Sequence, residues 1–350
     1  MARNSGGGGV RAVAILVVST LAVLRFPTLS LSLPLLTDDV GLSPDFHAAS
    51  CPQLENIVRS AVQAALQREI ALAAGLLRIF FHDCFPQGCD ASVLLKGSNT
   101  EQDMGPNTTL QPRAMQLIED IRAKVHAACG PTVSCADITA LATRDAVVAS
   151  GGPSYDVPQG QLDSFAPAPE NDVNNLPSPA TASISDLMSA FSSRGLSDLA
   201  DLVALSGAHT VGRAHCPFFA DRSGRQDDTF SRKLAANCSK DPNRLQNLDV
   251  ITPDLFDNSY YIALTFNQGV FTSDMALIKD RSTARIVRQF AKSKDAFFAQ
   301  FASSMVKLSK APRPAGNVGE IRRSCFRRNG QRIIDSDVDA GEVEGFAASA

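Results

Sequence analysis

From residue 54 onward, apolar side chains recur at helical spacing. Leu54, Ile57, Val58, Ala61, Val62, Ala65 and Leu66 share one face. Pro52 lies just upstream, where a first helical turn has no use for its missing amide hydrogen. The spacing predicts one helix there and a second over about residues 71–84. A third starts at Ser134, with Asp137 three residues on in a capping-box-like arrangement, and stops at Gly151-Gly152-Pro153. A fourth near 184–194 ends at Gly195. A fifth near 199–205 is capped by Ser197 and stopped by Gly207. Later helices are expected over 258–268 and 281–308. Strand-type alternation is scarce, and Pro- and Asn-rich loops fill 166–179 and 249–257. No repeat of solenoid length is present. The pattern predicts a single all-α domain from about 41 to 329, with very little β structure.

The two ends read differently. Arg3 and Arg11 precede an apolar run from Ala12 to Leu24, shorter than the ~20 residues a membrane span needs. Ser30 and Ser32 then offer a small-x-small cleavage site, so 1–32 reads as a signal peptide, and no membrane span is expected. Residues 330–350 are acidic and rich in small side chains, and a poorly ordered tail is expected.

Eight cysteines, at 51, 84, 89, 129, 135, 216, 238 and 325, include no Cys-x-x-Cys pair, which argues against zinc ribbons and thioredoxin-like sites. Export implies an oxidising compartment, where an even number of cysteines pairs into disulfides. Their spread along the chain argues against two domains. With 44% hydrophobic and 20% charged residues the chain suits a globular core, and its net charge of −3 leaves no nucleic-acid footprint.

Three groups of residues carry candidate chemistry. Arg78 and His82, four apart, share a helix face flanked by Leu77, Ile79, Phe80 and Phe81. A cation and an imidazole aimed into an apolar site suit proton transfer with charge stabilisation. Spacing alone is met as well by a surface arginine beside a core histidine. His209 follows a strongly apolar helix, where a neutral imidazole can ligate a metal. His215 and Cys216 do not complete a zinc spacing with it. His47 and His126 sit among polar or small residues and are expected to be solvated. The third group is oxygen-rich. Asp83, Asp90 and Ser92 bracket the Cys84–Cys89 segment, and Asp249, Thr252 and Asp257 share one loop. Such sets suit a hard cation such as calcium, or ordinary Asx-turns.

The chain resembles the class III, or secretory plant, haem peroxidases. The resemblance is carried by Arg78-Ile-Phe-Phe-His-Asp-Cys-Phe-Pro-Gln-Gly-Cys-Asp-Ala-Ser92, Thr132-Val-Ser-Cys-Ala-Asp137 and Gly151-Gly-Pro-Ser154. It continues through Asp201-Leu-Val-Ala-Leu-Ser-Gly-Ala-His-Thr210, Thr252-Pro-Asp-Leu-Phe-Asp-Asn258 and Gly319-Glu-Ile-Arg322, in family order. It implies one haem b held between distal and proximal helices, and two calcium ions. By motif, His82 matches the distal acid–base residue, Arg78 its cationic partner, Phe81 an aromatic wall, and Asn107 the residue that orients His82. His209 matches the axial iron ligand, Asp274 its carboxylate partner, and Pro177 a donor-binding position. One calcium would take Asp83, Asp90 and Ser92 with the carbonyls of Pro86 and Gly88. The other would take Thr210, Asp249, Thr252 and Asp257 with the carbonyl of Leu255. The implied disulfides are Cys51–Cys129, Cys84–Cys89, Cys135–Cys325 and Cys216–Cys238. The implied reaction reduces hydrogen peroxide while oxidising two phenol-like donors by one electron each. A secreted monomer is expected, in the extracellular space, the cell wall or the vacuole.

Two rival readings are a catalytically silent secreted protein and a secreted metallohydrolase. The latter needs clustered ligands, whereas His82 and His209 lie 127 positions apart (209 minus 82). Departures from the family pattern are Gly160-Gln-Leu-Asp163 in place of Gly-Arg-Arg/Lys-Asp, Tyr155 in place of Trp, and Arg113-Ala-Met115 in place of Arg-Gly-Phe. The first family arginine pairs with the aspartate matching Asp137. Here Asp137 is expected to be held by Gln161 or by amides at its own helix start, without a salt bridge. Asn107 also begins an Asn-Thr-Thr sequon, expected to stay unmodified because of its place beside His82.

Overall fold

A computed structural model describes residues 41–181 and 183–331, which belong to one compact unit. Residues 1–32, expected to be a signal peptide, and the tail from 332 on lie outside the described residues. Helices dominate: Leu54–Arg68, Leu72–Gln87, Pro112–Cys129, Cys135–Ala149, Ile184–Ser192, Leu199–Ser206, Thr229–Lys240, Ser259–Thr265, Thr272–Lys279, Arg281–Lys292 and Lys294–Ser309, with shorter turns between. Among the described residues the only sheet pairs Arg213–His215 antiparallel with Leu245–Asn247, Ala214 facing Gln246.

The fold is all-α, and most predicted helices are present, with corrections at their ends. Leu72–Gln87 runs three residues past the expected stop and takes in Pro86. Asp198, not Ser197, caps the Leu199–Ser206 helix, accepting from the amide of Ala200. The expected helix over 281–308 is two helices. Ser293 ends the first in an extended conformation, and its hydroxyl accepts from the amide of Ala296 to start the second. The Pro112–Cys129 helix went unread from periodicity, although Pro112 opens it and Gly130 closes it at φ +72°.

The Leu72–Gln87 helix packs between Cys135–Ala149 and Pro112–Cys129, and Leu199–Ser206 packs on Lys294–Ser309. The second contact requires Gly207, where a Cβ would come within 2.2 Å of the Tyr261 hydroxyl and 2.6 Å of the Phe297 ring. All four expected disulfides are formed. Cys135–Cys325 ties the C-terminal segment to the start of the central helix.

Candidate active site

A cavity of about 650 Å³ opens between the Leu72–Gln87 and Leu199–Ser206 helices, within the usual size range of cofactor pockets. Arg78, Phe81 and His82 line it from one helix and His209 from the turn that extends the other. Leu77, Phe80, Leu202, Leu205, Val211 and Phe271 make the walls apolar, while Pro177 and Pro179 lie among its lining residues.

The two histidines have opposite surroundings. The His82 Nδ1 lies 2.6 Å from Oδ1 of buried Asn107, an acceptor, so Nδ1 carries the hydrogen. Nε2 then keeps its lone pair and accepts from Arg78 Nε at 3.3 Å. Burial, and secondarily the Arg78 charge, pushes the His82 pKa down to about 3, against the opposing bond to Asn107. His82 is therefore a neutral base at ordinary pH. Arg78 is anchored by Thr109 O at 2.9 Å, Thr109 Oγ1 at 3.0 Å and Pro106 O at 2.9 Å. Burial lowers its pKa to about 10, which leaves it charged. Phe81 stands edge-on to His82 at 6.1 Å and packs on Phe85 and Phe191.

On the opposite side, His209 Nδ1 donates to Asp274 Oδ1 at 2.8 Å. Asp274 is buried and saturated with donors: Tyr260 gives its hydroxyl to Oδ1 at 2.8 Å, and the Phe271 amide reaches Oδ2 at 2.9 Å. This leaves the His209 Nε2 lone pair as the ring's ligating atom. An apolar slot of this size, with one free imidazole lone pair, fits a haem whose iron that nitrogen would bind.

Both oxygen clusters assemble. Asp83 Oδ2 accepts from the amides of Asp90 and Ala91, and Asp90 Oδ1 from that of Ser92. Among the described residues, buried Asp83 Oδ1 and Oε2 of neighbouring Glu101 have no hydrogen-bond partner. Burial and then the Asp90 charge push the Asp83 pKa well above its ordinary value. Uncompensated buried oxygens with raised pKa values fit a bound cation. Pro86, in the last turn of the Leu72–Gln87 helix, and Gly88, just past its end, lie in the segment closed by Cys84–Cys89. Gly88 adopts φ +93°, and a Cβ there would lie 2.9 Å from the Ala311 carbonyl oxygen. In the second cluster Thr210 Oγ1 lies 3.1 Å from Asp249 Oδ2 and 3.4 Å from the Leu255 carbonyl. Thr252 Oγ1 reaches Asp257 at 3.0 Å and Asp249 at 3.4 Å. Among the described residues no group of three or more His, Cys, Asp or Glu side chains is placed to hold a metal. A calcium site draws on hydroxyls and carbonyls as well as carboxylates.

The structure corrects the expectation for His47 and Asp137. His47 is buried, not solvated, and its Nε2 lies 2.8 Å from Asp137 Oδ2. His126 is half-buried, with Nε2 on the Val133 carbonyl. Asp137 also accepts the backbone amides of Gly160 and Gln161, while the Gln161 side chain turns away to the carbonyl of Ser309. The amides at the start of the Cys135–Ala149 helix go to Asp163 instead. A histidine thus takes the place expected of glutamine, because residue 47 reaches Asp137 from the N-terminal loop. Sequence reasoning also passed over Tyr260, Phe271 and Glu101. Tyr260 was within reach, since it lies two residues past the Thr252–Asn258 motif.

Comparison with known proteins agrees with this geometry. The sequence profile of the family described as Peroxidase matches residues 58–293. The chain is 49% identical to cationic peroxidase SPC4 of Sorghum bicolor over 83% of this chain and 82% of that one. It is 46% identical to peroxidase 12 of Arabidopsis thaliana over 84% of each. It is 44% identical to peroxidase 66 of Zea mays over 82% of this chain and 90% of that one. With the helical architecture, the cavity between two histidines and these relatives taken together, the chain belongs to the class III plant haem peroxidases.

Proposed function

We infer that this peroxidase reduces hydrogen peroxide at His82 and Arg78, with His209 holding the haem iron and phenolic donors approaching past Pro177. The observation that carries the assignment is the pair of histidines facing one cavity, each fixed by an acceptor on Nδ1. Bound haem supplies cleavage of the peroxide O–O bond and withdrawal of one electron from each of two donors. His82 Nε2 takes the proton from the incoming peroxide oxygen and returns it to the departing one. Asn107 keeps that nitrogen unprotonated between turnovers by holding the hydrogen on Nδ1. Arg78 stabilises the negative charge on the departing oxygen, and its carbonyl anchors fix it before peroxide arrives. Asp274 holds the His209 hydrogen on Nδ1 and makes Nε2 a stronger donor to iron. Phe81 walls the distal side.

Two calcium ions complete the reading, one at Asp83, Asp90 and Ser92 with the Pro86 and Gly88 carbonyls, the other at Thr210, Asp249, Thr252, Leu255 and Asp257. The domain spans about 41–329, preceded by the 1–32 leader and followed by the 330–350 tail. It acts as an exported monomer in the cell wall, the extracellular space or the vacuole. The four disulfides support export.

The test is stopped-flow peroxide activation of the haem-loaded protein. His82→Ala is expected to slow it by roughly three orders of magnitude or more, the upper range for general acid–base catalysis, with the haem absorption band retained. An unchanged rate would remove His82 from the mechanism.

A further inference from the structure

A second cavity, of about 480 Å³, opens beside the haem cavity. One face of the Thr272–Lys279 helix lines it, with Thr272, Ala276 and Lys279 at i, i+4 and i+7 and Asp280 just past the end. Ser183, Ile184 and Ser185 line it from the start of the Ile184–Ser192 helix, and Arg225 from the end of the short Ala220–Arg225 helix. The two cavities share a wall. Asp221, Phe271 and Ser273 line the haem cavity, Thr272 lines the second, and the Thr272 hydroxyl donates to Asp221. The Ser273 amide donates to the Pro179 carbonyl at 3.0 Å, which ties this wall to the loop that carries Pro177.

The charge in the second cavity is one-sided. Arg225 and Lys279 are exposed, and among the described residues neither forms a salt bridge. The acids that follow Arg225, Asp227 and Asp228, pair instead with Arg222 at 3.2 and 2.6 Å. The one acid lining the cavity, Asp280, holds the Ser282 and Thr283 amides on Oδ1 as the cap of the next helix. The whole chain carries a net charge of −3, so two unanswered cations around one hollow are a local feature. Field lines from both converge in the concave space and favour an anion there.

We propose that this cavity binds a small aromatic acid, with its carboxylate between Arg225 and Lys279 and its ring against Ile184 and Ala276. The planar guanidinium matches a carboxylate in bidentate fashion, and the ammonium adds a point charge. Ser183 Oγ and Ser185 Oγ lie 2.7 Å apart. Ser183 Oγ already accepts the Asp186 amide, so its own hydrogen goes to Ser185 and the Ser185 hydrogen remains to donate to the ligand. A bare inorganic anion would leave most of a hollow this size without contacts, and a neutral ring would leave both cations unanswered. The site lies outside the haem cavity, so its occupancy does not depend on the peroxidase assignment.

The test uses the full mature, haem-loaded protein without peroxide. Benzoate is the probe, with benzamide as its neutral counterpart, and binding is followed by titration calorimetry alongside the haem absorption band. Wild type is expected to bind benzoate without moving the band, and less tightly as salt rises. Benzamide should bind more weakly by roughly tenfold or more, because it lacks the charge-assisted bonds. Arg225→Gln/Lys279→Gln is expected to lose benzoate binding by a similar factor, with unchanged oxidation of an uncharged phenol. Ser185→Leu keeps both cations and fills the hollow from an exposed position, and it should lose the binding too. The charge-matched control Lys124→Gln/Lys233→Gln should bind as wild type does. Absence of wild-type binding, binding retained in either cavity variant, or equal loss in the control would overturn the proposal. So would inorganic phosphate bound as tightly as benzoate through the same two cations.

Discussion

Replacing His47 by alanine tests the most unexpected contact in the fold. Asp137 is fully buried, and three donors serve its carboxylate: His47 Nε2 at 2.8 Å, the Gly160 amide at 2.9 Å and the Gln161 amide at 3.1 Å. Leaving a buried charge with no partner costs ~3–5 kcal/mol. Here both oxygens keep a backbone donor, so the loss is set by one hydrogen bond to a charged group, worth ~1.5–3 kcal/mol. Loss of the packing of a buried ring adds to this, for a total of about 3 kcal/mol. At ~2–4 °C per kcal/mol for a domain of this size, the melting temperature should fall by about 6–12 °C. The assay is thermal unfolding with disulfides intact and haem content matched, run as a double-mutant cycle with Asp137→Asn. A coupling of about 2 kcal/mol is expected between the two positions. Gln161→Ala should cost only about 1 kcal/mol, since it loses the bond to the Ser309 carbonyl and keeps its amide on Asp137. Gln161→Arg should gain nothing unless His47 is also removed, because the carboxylate is already served. A shift below about 2 °C for His47→Ala, or no coupling, would show that the pair does not hold this segment.

Further outcomes follow from the same geometry. The neutral form of His82 is the base and protonation removes it, so with a pKa near 3 peroxide activation should stay flat from neutrality to about pH 4 and fall below that. A fall centred near the ordinary histidine value, about 6.5, would mean that His82 is not desolvated. Tyr260→Phe removes one of two donors from Asp274 Oδ1 and makes it a stronger acceptor for His209. The iron reduction potential should drop by up to about 40 mV, the one-electron equivalent of a hydrogen bond worth about 1 kcal/mol. A spectroelectrochemical titration showing no drop would refute this. Chelating calcium should lower the melting temperature and disturb the haem spectrum, because Thr210 adjoins His209. Each site is worth roughly 3 kcal/mol when the ion stands at 100 times its dissociation constant. If neither signal moves, the two oxygen clusters do not hold calcium.

The sequence by itself determined the class of fold and the chemistry of the cavity, since both are written at short range. Helical spacing marked Leu54–Arg68, which turns one apolar stripe to the core, and the Ser134 start with the Gly151-Gly152-Pro153 stop marked Cys135–Ala149, which is buried on nearly its whole surface. The four-residue spacing put Arg78 and His82 on one helix face, and the resemblance of the Arg78–Ser92 motif to the peroxidases gave the pair its role. The break at Ser293 was not legible, because periodicity runs through it and only the hydroxyl's return to the Ala296 amide ends one helix and starts the next. What tertiary structure alone decided are contacts between residues distant in sequence. His47 meets Asp137 across 90 positions, Tyr260 meets Asp274, and Lys307 closes on Asp201. No local pattern encodes such pairs, because a buried carboxylate is satisfied by whichever donor the packing delivers, and at Asp137 the packing delivered an imidazole.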